Sequence, residues 1–155
     1  MQNPYYDSHH DPYHARQKYT DGAYCEDCEA VVEKGSFRWA AVEAKHVGQA
    51  VKCPACQRIQ ENMAGGVVFL EGAFLKEHIV EIRNLISNVE NVEKSEHPLE
   101  RIIDLEEKQD SLLVRTTYEH LARRIGEAVH RAYKGELQIS YAEDEKYVDV
   151  RWIRN

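Results

Sequence analysis

Apolar residues at Leu75, Ile79, Ile82, Ile86 and Val89 are spaced by four, three, four and three positions, which aligns them on one face of a helix. Phe74, Leu85 and Val92 widen that face, and the helix is expected to end before Pro98, whose ring disfavours α conformation in His97. The next third changes period. "RIIDLEE" and "SLLVRTT" flank the polar turn Lys108-Gln109-Asp110 as a hairpin. Thr116 and Glu119 have the spacing of a capping box ahead of a helix with the apolar stripe Leu121, Ile125, Ala128, Val129 and Ala132, and Gly135 suits its C-terminal stop. Leu137, Ile139 and Tyr141, then Val148, Val150 and Trp152, alternate as two further strands around "AEDEK". The simplest packing of this β-β-α-β-β order is a four-stranded antiparallel sheet with one face under the helix.

Upstream the pattern is weaker. The pieces "AVVEK" and "SFRWAAV" resemble short strands around a turn at Lys34-Gly35-Ser36, while "VVFL", after Gly65-Gly66, leads toward the long helix. Residues 1–19 lack apolar periodicity and are rich in Tyr, His, Asp and Pro, as in a flexible arm. His9, His10 and His14 in it need no ligand to explain them. The expected class is therefore α+β, in four parts: an arm over 1–19, a cysteine-bearing ribbon over 20–66, an amphipathic helix over 67–97 and the β-β-α-β-β unit over 98–155.

The chain is 155 residues long and 43% apolar, in the ordinary range of globular proteins. It has no apolar run of membrane-spanning length and no hydrophobic signal segment at its start, so a cytoplasmic location without membrane insertion is expected. In that compartment four cysteines point to metal or redox chemistry before disulfides. Their spacing is the most specific signal in the chain. Cys25 and Cys28 form one Cys-x-x-Cys knuckle and Cys53 and Cys56 a second, and two knuckles supply the four corners of a tetrahedral, closed zinc site. One structural Zn2+ is the expected cofactor; a rubredoxin-like iron site or a dithiol redox pair are the alternatives. No nucleophile elbow, Walker loop or His-Glu-x-x-His motif occurs, so no catalytic residue is assigned and a non-enzymatic protein is expected.

A formal net charge of −7 argues against generic nucleic-acid binding. The deficit is local, however: residues 61–100 hold three basic and eight acidic groups, a balance of −5. Two basic surfaces remain conceivable. The ribbon carries Lys34, Arg38, Lys45, Lys52 and Arg58, beside Phe37 and Trp39, which could stack on a base or fill a small core. On the helix after Thr117, His120, Arg124, Glu127, Arg131 and Lys134 repeat at helical spacing, with Arg123 and His130 beside them. Arg38, Arg58, Arg124, Arg131 and Lys134 are the candidate phosphate contacts. His78 is expected on a helix surface. The acidic helix over 70–95 or the C-terminal sheet could instead dock a protein partner, or the zinc thiols could form a redox sensor in which oxidation ejects the ion; oligomeric state stays open.

Taken together, Asp11-Pro12-Tyr13, "CEDC", "GSFRW", "CPACQR", "EGAFLKEHIVEIRNLISNVE", "HPLERI" and "TTYEHLARRIGEAVHRAYKGEL" resemble small bacterial zinc-ribbon proteins related to the Nmd-type adaptors of the large ribosomal subunit. Those adaptors carry more zinc-binding cysteines and further domains, so their export role does not transfer. The resemblance implies association with the ribosome or another structured RNA, with Cys25, Cys28, Cys53 and Cys56 as zinc ligands.

Overall fold

The computed structural model describes residues 19–40, 48–142 and 146–155, so the expected arm with His9, His10 and His14, together with Lys45, lies outside the described residues. Four short strands, β1 (Tyr24–Cys25), β2 (Val31–Glu33), β3 (Ser36–Arg38) and β4 (Ala50–Val51), form a first sheet in the order β3-β2-β1-β4. β2 and β3 are joined as expected by Lys34-Gly35. Both residues have positive φ, 51° and 81°, the backbone that a two-residue primed turn demands and glycine accepts without strain. Few apolar side chains support this sheet: Ala23, Ala30, Val32, Phe37 and Ala55 pack around Cys25 and Cys53. A core that small does not offset the ordering entropy of the segment unaided.

The remaining elements are α1 (Pro54–Glu61), β5 (Gly66–Glu71), α2 (Ala73–Glu77), α3 (Ile79–Glu96), β6 (Ile102–Glu107), β7 (Ser111–Thr116), α4 (Glu119–Tyr133), β8 (Glu136–Tyr141) and β9 (Val148–Ile153). The mixed α+β class is as expected. The expected β-β-α-β-β run is present as β6, β7, α4, β8 and β9, but the sheet differs from a four-stranded antiparallel one. It has five strands in the order β6-β7-β5-β9-β8, and "VVFL" is its central strand, antiparallel to β7 and parallel to β9 from Gly66↔Val148 to Glu71↔Ile153. Val68 and Leu70 are buried on one face and Val67 and Phe69 half-buried on the other, so this strand shows the near-continuous apolar run of a central position.

The helical pattern therefore starts at Ala73, not at 67, and breaks at His78 (φ −120°, ψ 26°) before resuming as α3. Ile82 and Ile86 are buried as expected, and α3 ends at Glu96, ahead of Pro98. Val92 is a correction: it is 57% exposed and does not widen the buried face. Beside α3, α4 covers the same side of the sheet with Leu121, Ile125 and Val129, against Val68, Leu70, Leu112, Val114, Val148, Val150 and Trp152. Contact is close at Gly126, where a Cβ would stand 2.4 Å from Val150 Cγ1. Gly66, expected to join ribbon to helix, opens β5 under Ala122 of α4.

The capping box at Thr116 and Glu119 does not form. Thr116 Oγ1 donates to the Tyr118 carbonyl at 2.6 Å, and the Leu121 N–H at the start of α4 donates to Glu100 Oε1 at 3.0 Å, a carboxylate brought from the segment between α3 and β6. Among the described residues no helix covers the other side of the sheet, where Val67, Phe69, Leu113 and Ile153 form a half-buried apolar centre. No helix among them is long and apolar enough to cross a membrane.

Candidate metal centre

Both knuckles are built by local geometry. After the first, Glu29 takes a positive φ of 70° and donates its N–H to the Cys25 carbonyl at 2.8 Å, turning the chain back beside Cys28. The second is a helix start. Cys53 is the N-cap of α1, its Sγ accepting the Cys56 N–H at 3.3 Å, and Pro54 occupies the first helical position, where a missing N–H costs nothing. This orientation points the positive end of α1 at the sulfurs and favours thiolates there. The Cys53 N–H donates to Cys25 Sγ at 3.3 Å, tying one knuckle to the other.

The four Sγ atoms lie within 4.8 Å of one another, and all four cysteines are free of disulfides. For zinc, an Sγ–metal bond of about 2.3 Å in a tetrahedron sets sulfurs about 3.8 Å apart. Cys28 and Cys53 stand at 3.8 Å. The donor chemistry agrees with the spacing. Hydrogen bonds from Cys28, Cys53 and Cys56 hold the Cys25 thiol far below the ordinary thiol range, whereas Cys25, Cys28 and Cys56 push Cys53 far above it. Four crowded sulfurs cannot all ionise without a cation among them, and a divalent ion lifts that restriction. The arrangement can hold a metal ion, with all four corners filled by protein.

A fifth residue completes the site. Arg101, between α3 and β6 and only 7% exposed, donates from Nη1 to Cys56 Sγ at 3.1 Å and from Nη2 to Cys28 Sγ at 3.0 Å, with Cys53 Sγ at 3.6 Å. Its Nε donates to the Pro98 carbonyl at 2.7 Å, and its backbone N–H to Thr117 Oγ1 at 3.0 Å. Burial alone would pull this guanidinium down, but the Cys56 hydrogen bond and the neighbouring sulfurs outweigh it and hold Arg101 charged. Sequence pattern did not single out Arg101; nothing in "PLERII" separates a buried arginine from a solvated one.

Arg58 crosses the same boundary in the opposite direction. Expected as a phosphate contact, it is 2% exposed: Nη1 donates to the Thr117 carbonyl at 2.9 Å and the guanidinium sits 4.5 Å from the Tyr118 ring centroid. Arg58 thus leaves the set of surface cations. Thr117, itself fully buried, serves both arginines and donates its hydroxyl to the Leu99 carbonyl at 2.6 Å. Nearby, burial pushes the Glu100 carboxyl up to about 7 despite the Leu121 N–H, with Glu119 and Glu93 adding to the effect and Arg58 opposing it.

The other candidate cations lie at the surface. Arg38 is exposed on β3. Next to it, Trp39 donates its indole N–H to the Lys94 carbonyl at 2.7 Å and remains 39% exposed, while Phe37 fills the ribbon core at 7%. Arg124 and Arg131 are exposed along α4, and Lys134 is exposed at its C-cap. Glu93 of α3 reaches Arg124 Nε at 3.4 Å and His120 Nε2 at 3.3 Å, so the first turns of this face are partly neutralised. His78 is half-buried, its ring 4.0 Å from that of Phe74 and 3.5 Å from Glu81.

No protein-family model matches the chain, and comparison with curated proteins and with solved structures finds no match.

Proposed function

We propose that the chain is a non-enzymatic protein with one structural Zn2+ on Cys25, Cys28, Cys53 and Cys56, which binds the ribosome or another structured RNA in the cytoplasm, as the resemblance to Nmd-type adaptors suggests. The observation that carries the structural role is the closed set of four sulfurs. With every corner supplied by protein and Arg101 laid over the half-exposed sulfurs, a bound ion has no position for substrate or activated water.

Support for RNA is a set of exposed cations carried by both the ribbon and α4, with contacts joining the two through α3. Trp39 on the Lys94 carbonyl sets the ribbon edge bearing Arg38 beside the end of α3, whose Glu93 in turn holds Arg124 of α4. Arg38, Trp39, Arg124, Arg131 and Lys134 then form a discontinuous cationic and aromatic track suited to phosphates and one unstacked base. The test is co-sedimentation with ribosomal subunits, with and without nuclease and at two salt concentrations. Comigration that disappears at high salt, and that weakens and loses salt dependence in Arg131→Glu/Lys134→Glu, supports the reading. Folded protein that stays at the top of the gradient in every condition refutes it.

The open side of the five-stranded sheet favours a second reading, a protein adaptor. A groove of about 440 Å³ runs past Phe69, Ile153, Gln138 and Arg151 with Glu71 and Glu136 at its end, and strand register sets those two carboxylates on either side of Ile153. The fitting occupant is an extended segment of a partner protein bearing lysine or arginine. Nuclease-resistant association that Glu71→Lys/Glu136→Lys abolishes would select this reading over RNA.

A further inference from the structure

Arg101 has a role that the four cysteines alone do not require. A structural metal needs only its ligands, yet this side chain comes from the segment between α3 and β6, 45 residues after Cys56, and places both Nη atoms on sulfurs of the four cysteines. Its counterpart Arg58 leaves the helix that Cys53 caps and ends on the Thr117 carbonyl, while the Thr117 N–H donates to the Arg101 carbonyl at 2.8 Å. Cys56, α1, Arg58, Thr117 and Arg101 therefore close a circuit from the sulfurs through the sheet unit and back. Trp39 covers it from outside, its ring 5.9 Å from the Arg101 guanidinium.

We propose that Arg101 is an outer-sphere partner of the metal centre, and that metal occupancy, sensed through Arg101, controls whether the ribbon is locked onto the five-stranded sheet unit. This rests on the cysteines holding a divalent metal. Four thiolates around a divalent ion carry two net negative charges, and a buried dianion favours a buried guanidinium hydrogen-bonded to its sulfurs. When the metal leaves, no metal–sulfur bond holds the two knuckles together at one point, and the two Nη contacts of Arg101, one to Cys56 and one to Cys28, lose their fixed acceptors. A buried guanidinium whose acceptors are no longer held in place is better solvated by water, and undocking of the ribbon provides that. The loaded centre thus fixes the Arg38–Trp39 edge beside α3 and α4, and the empty one releases it. The binding track exists as one surface only in the metal-loaded chain.

The test uses the full chain loaded with Zn2+ or Co2+, as wild type, Arg101→Met and Arg101→Lys. Metal stoichiometry is measured first, then release to a chelator, the thiolate-to-cobalt charge-transfer band, and amide exchange followed by mass spectrometry. Hydrogen bonds to a thiolate lower its donor orbital, so removing them moves the band to lower energy, a change that a merely space-filling residue would not produce. The expected result is one metal per wild-type chain; in Arg101→Met, release at least 10-fold faster, a red-shifted band, and faster exchange over 20–40 and 48–61 with β5–β9 still protected. Arg101→Lys, which keeps the charge with fewer donors, should fall between, and it decides the matter if the methionine variant does not fold. Metal-loaded variants with wild-type release, band and exchange would overturn the coupling while leaving the metal site standing. A wild-type chain that binds neither ion would overturn both.

Discussion

Replacing Arg58 by methionine separates a structural arginine from an RNA contact. Methionine keeps much of the apolar length, so the loss is confined to the charged head. That head donates to the Thr117 carbonyl at 2.9 Å and lies 4.5 Å from the Tyr118 ring, at a position 2% exposed. A hydrogen bond from a charged donor contributes about 1.5–3 kcal/mol, and leaving the buried carbonyl without it is included in that figure. A desolvated cation–π contact adds about 1–2 kcal/mol. Allowing for better burial of the thioether, Arg58→Met should cost about 3 kcal/mol, which at this chain length corresponds to a fall in Tm of roughly 6–12 °C. Glu100 should also become harder to ionise, because Arg58 opposes its upward shift. The assay is urea and thermal unfolding at saturating zinc, beside Arg38→Met as the exposed control, which should stay within about 0.5 kcal/mol of wild type. An Arg58→Met protein as stable as wild type, but defective in co-sedimentation, would refute the assignment of Arg58 to the interior.

Three further outcomes follow from the packing. Chelation of the loaded protein, or Cys28→Ser, should unfold the ribbon while far-UV circular dichroism retains the β5–β9 sheet, because the ribbon core is a handful of small side chains; a ribbon still protected from exchange without metal would contradict this. The Glu100 carboxyl, raised from 4.5 to about 7, favours the folded state fully below pH 4.5 and loses that contribution as pH rises through 7. Relative to Glu100→Gln, wild type should therefore lose about 3 kcal/mol between those values, and parallel stability curves would exclude the effect. At Gly126, a valine should force α4 off the sheet and cost about 2–3 kcal/mol through overpacking, whereas pairing it with Val150→Ala should recover at least about 1 kcal/mol; strictly additive losses in urea titration would show that the 2.4 Å approach does not limit packing.

What the sequence exposes and what it hides divide along a physical line. Features set within a few residues were legible: the Cys-x-x-Cys pairs, the Lys34-Gly35 turn, the stop before Pro98, and the apolar face of α4 at Leu121, Ile125 and Val129. Features that depend on a distant partner were not. β5 pairs with β9 across 82 residues of chain, and an apolar run as short as "VVFL" suits a buried strand or the lead-in to a helix equally well until its neighbours are known. The same holds for capping: Thr116 and Glu119 carry the right local signature, but Glu100 reaches Leu121 from another segment and displaces it.

The buried arginines extend this to chemistry. Arginine is almost always solvated unless paired, so Arg58 reads as a surface cation and Arg101 draws no reading at all until their acceptors, a carbonyl and a set of sulfurs, are brought to them by the fold. Each acceptor lies across the boundary between the ribbon and the sheet unit, which is why counting basic residues within the ribbon placed Arg58 on the wrong side of it. Charge used at that boundary is not available to a phosphate. The candidate arginines that remain exposed, Arg38, Arg124 and Arg131, occur on both units, and the contacts of Arg58, Arg101 and Trp39 across the boundary set where the two units stand relative to each other. Under the RNA binding we propose, the two interior arginines would act indirectly, by fixing the separation of cations that a rigid polyanion requires to be constant.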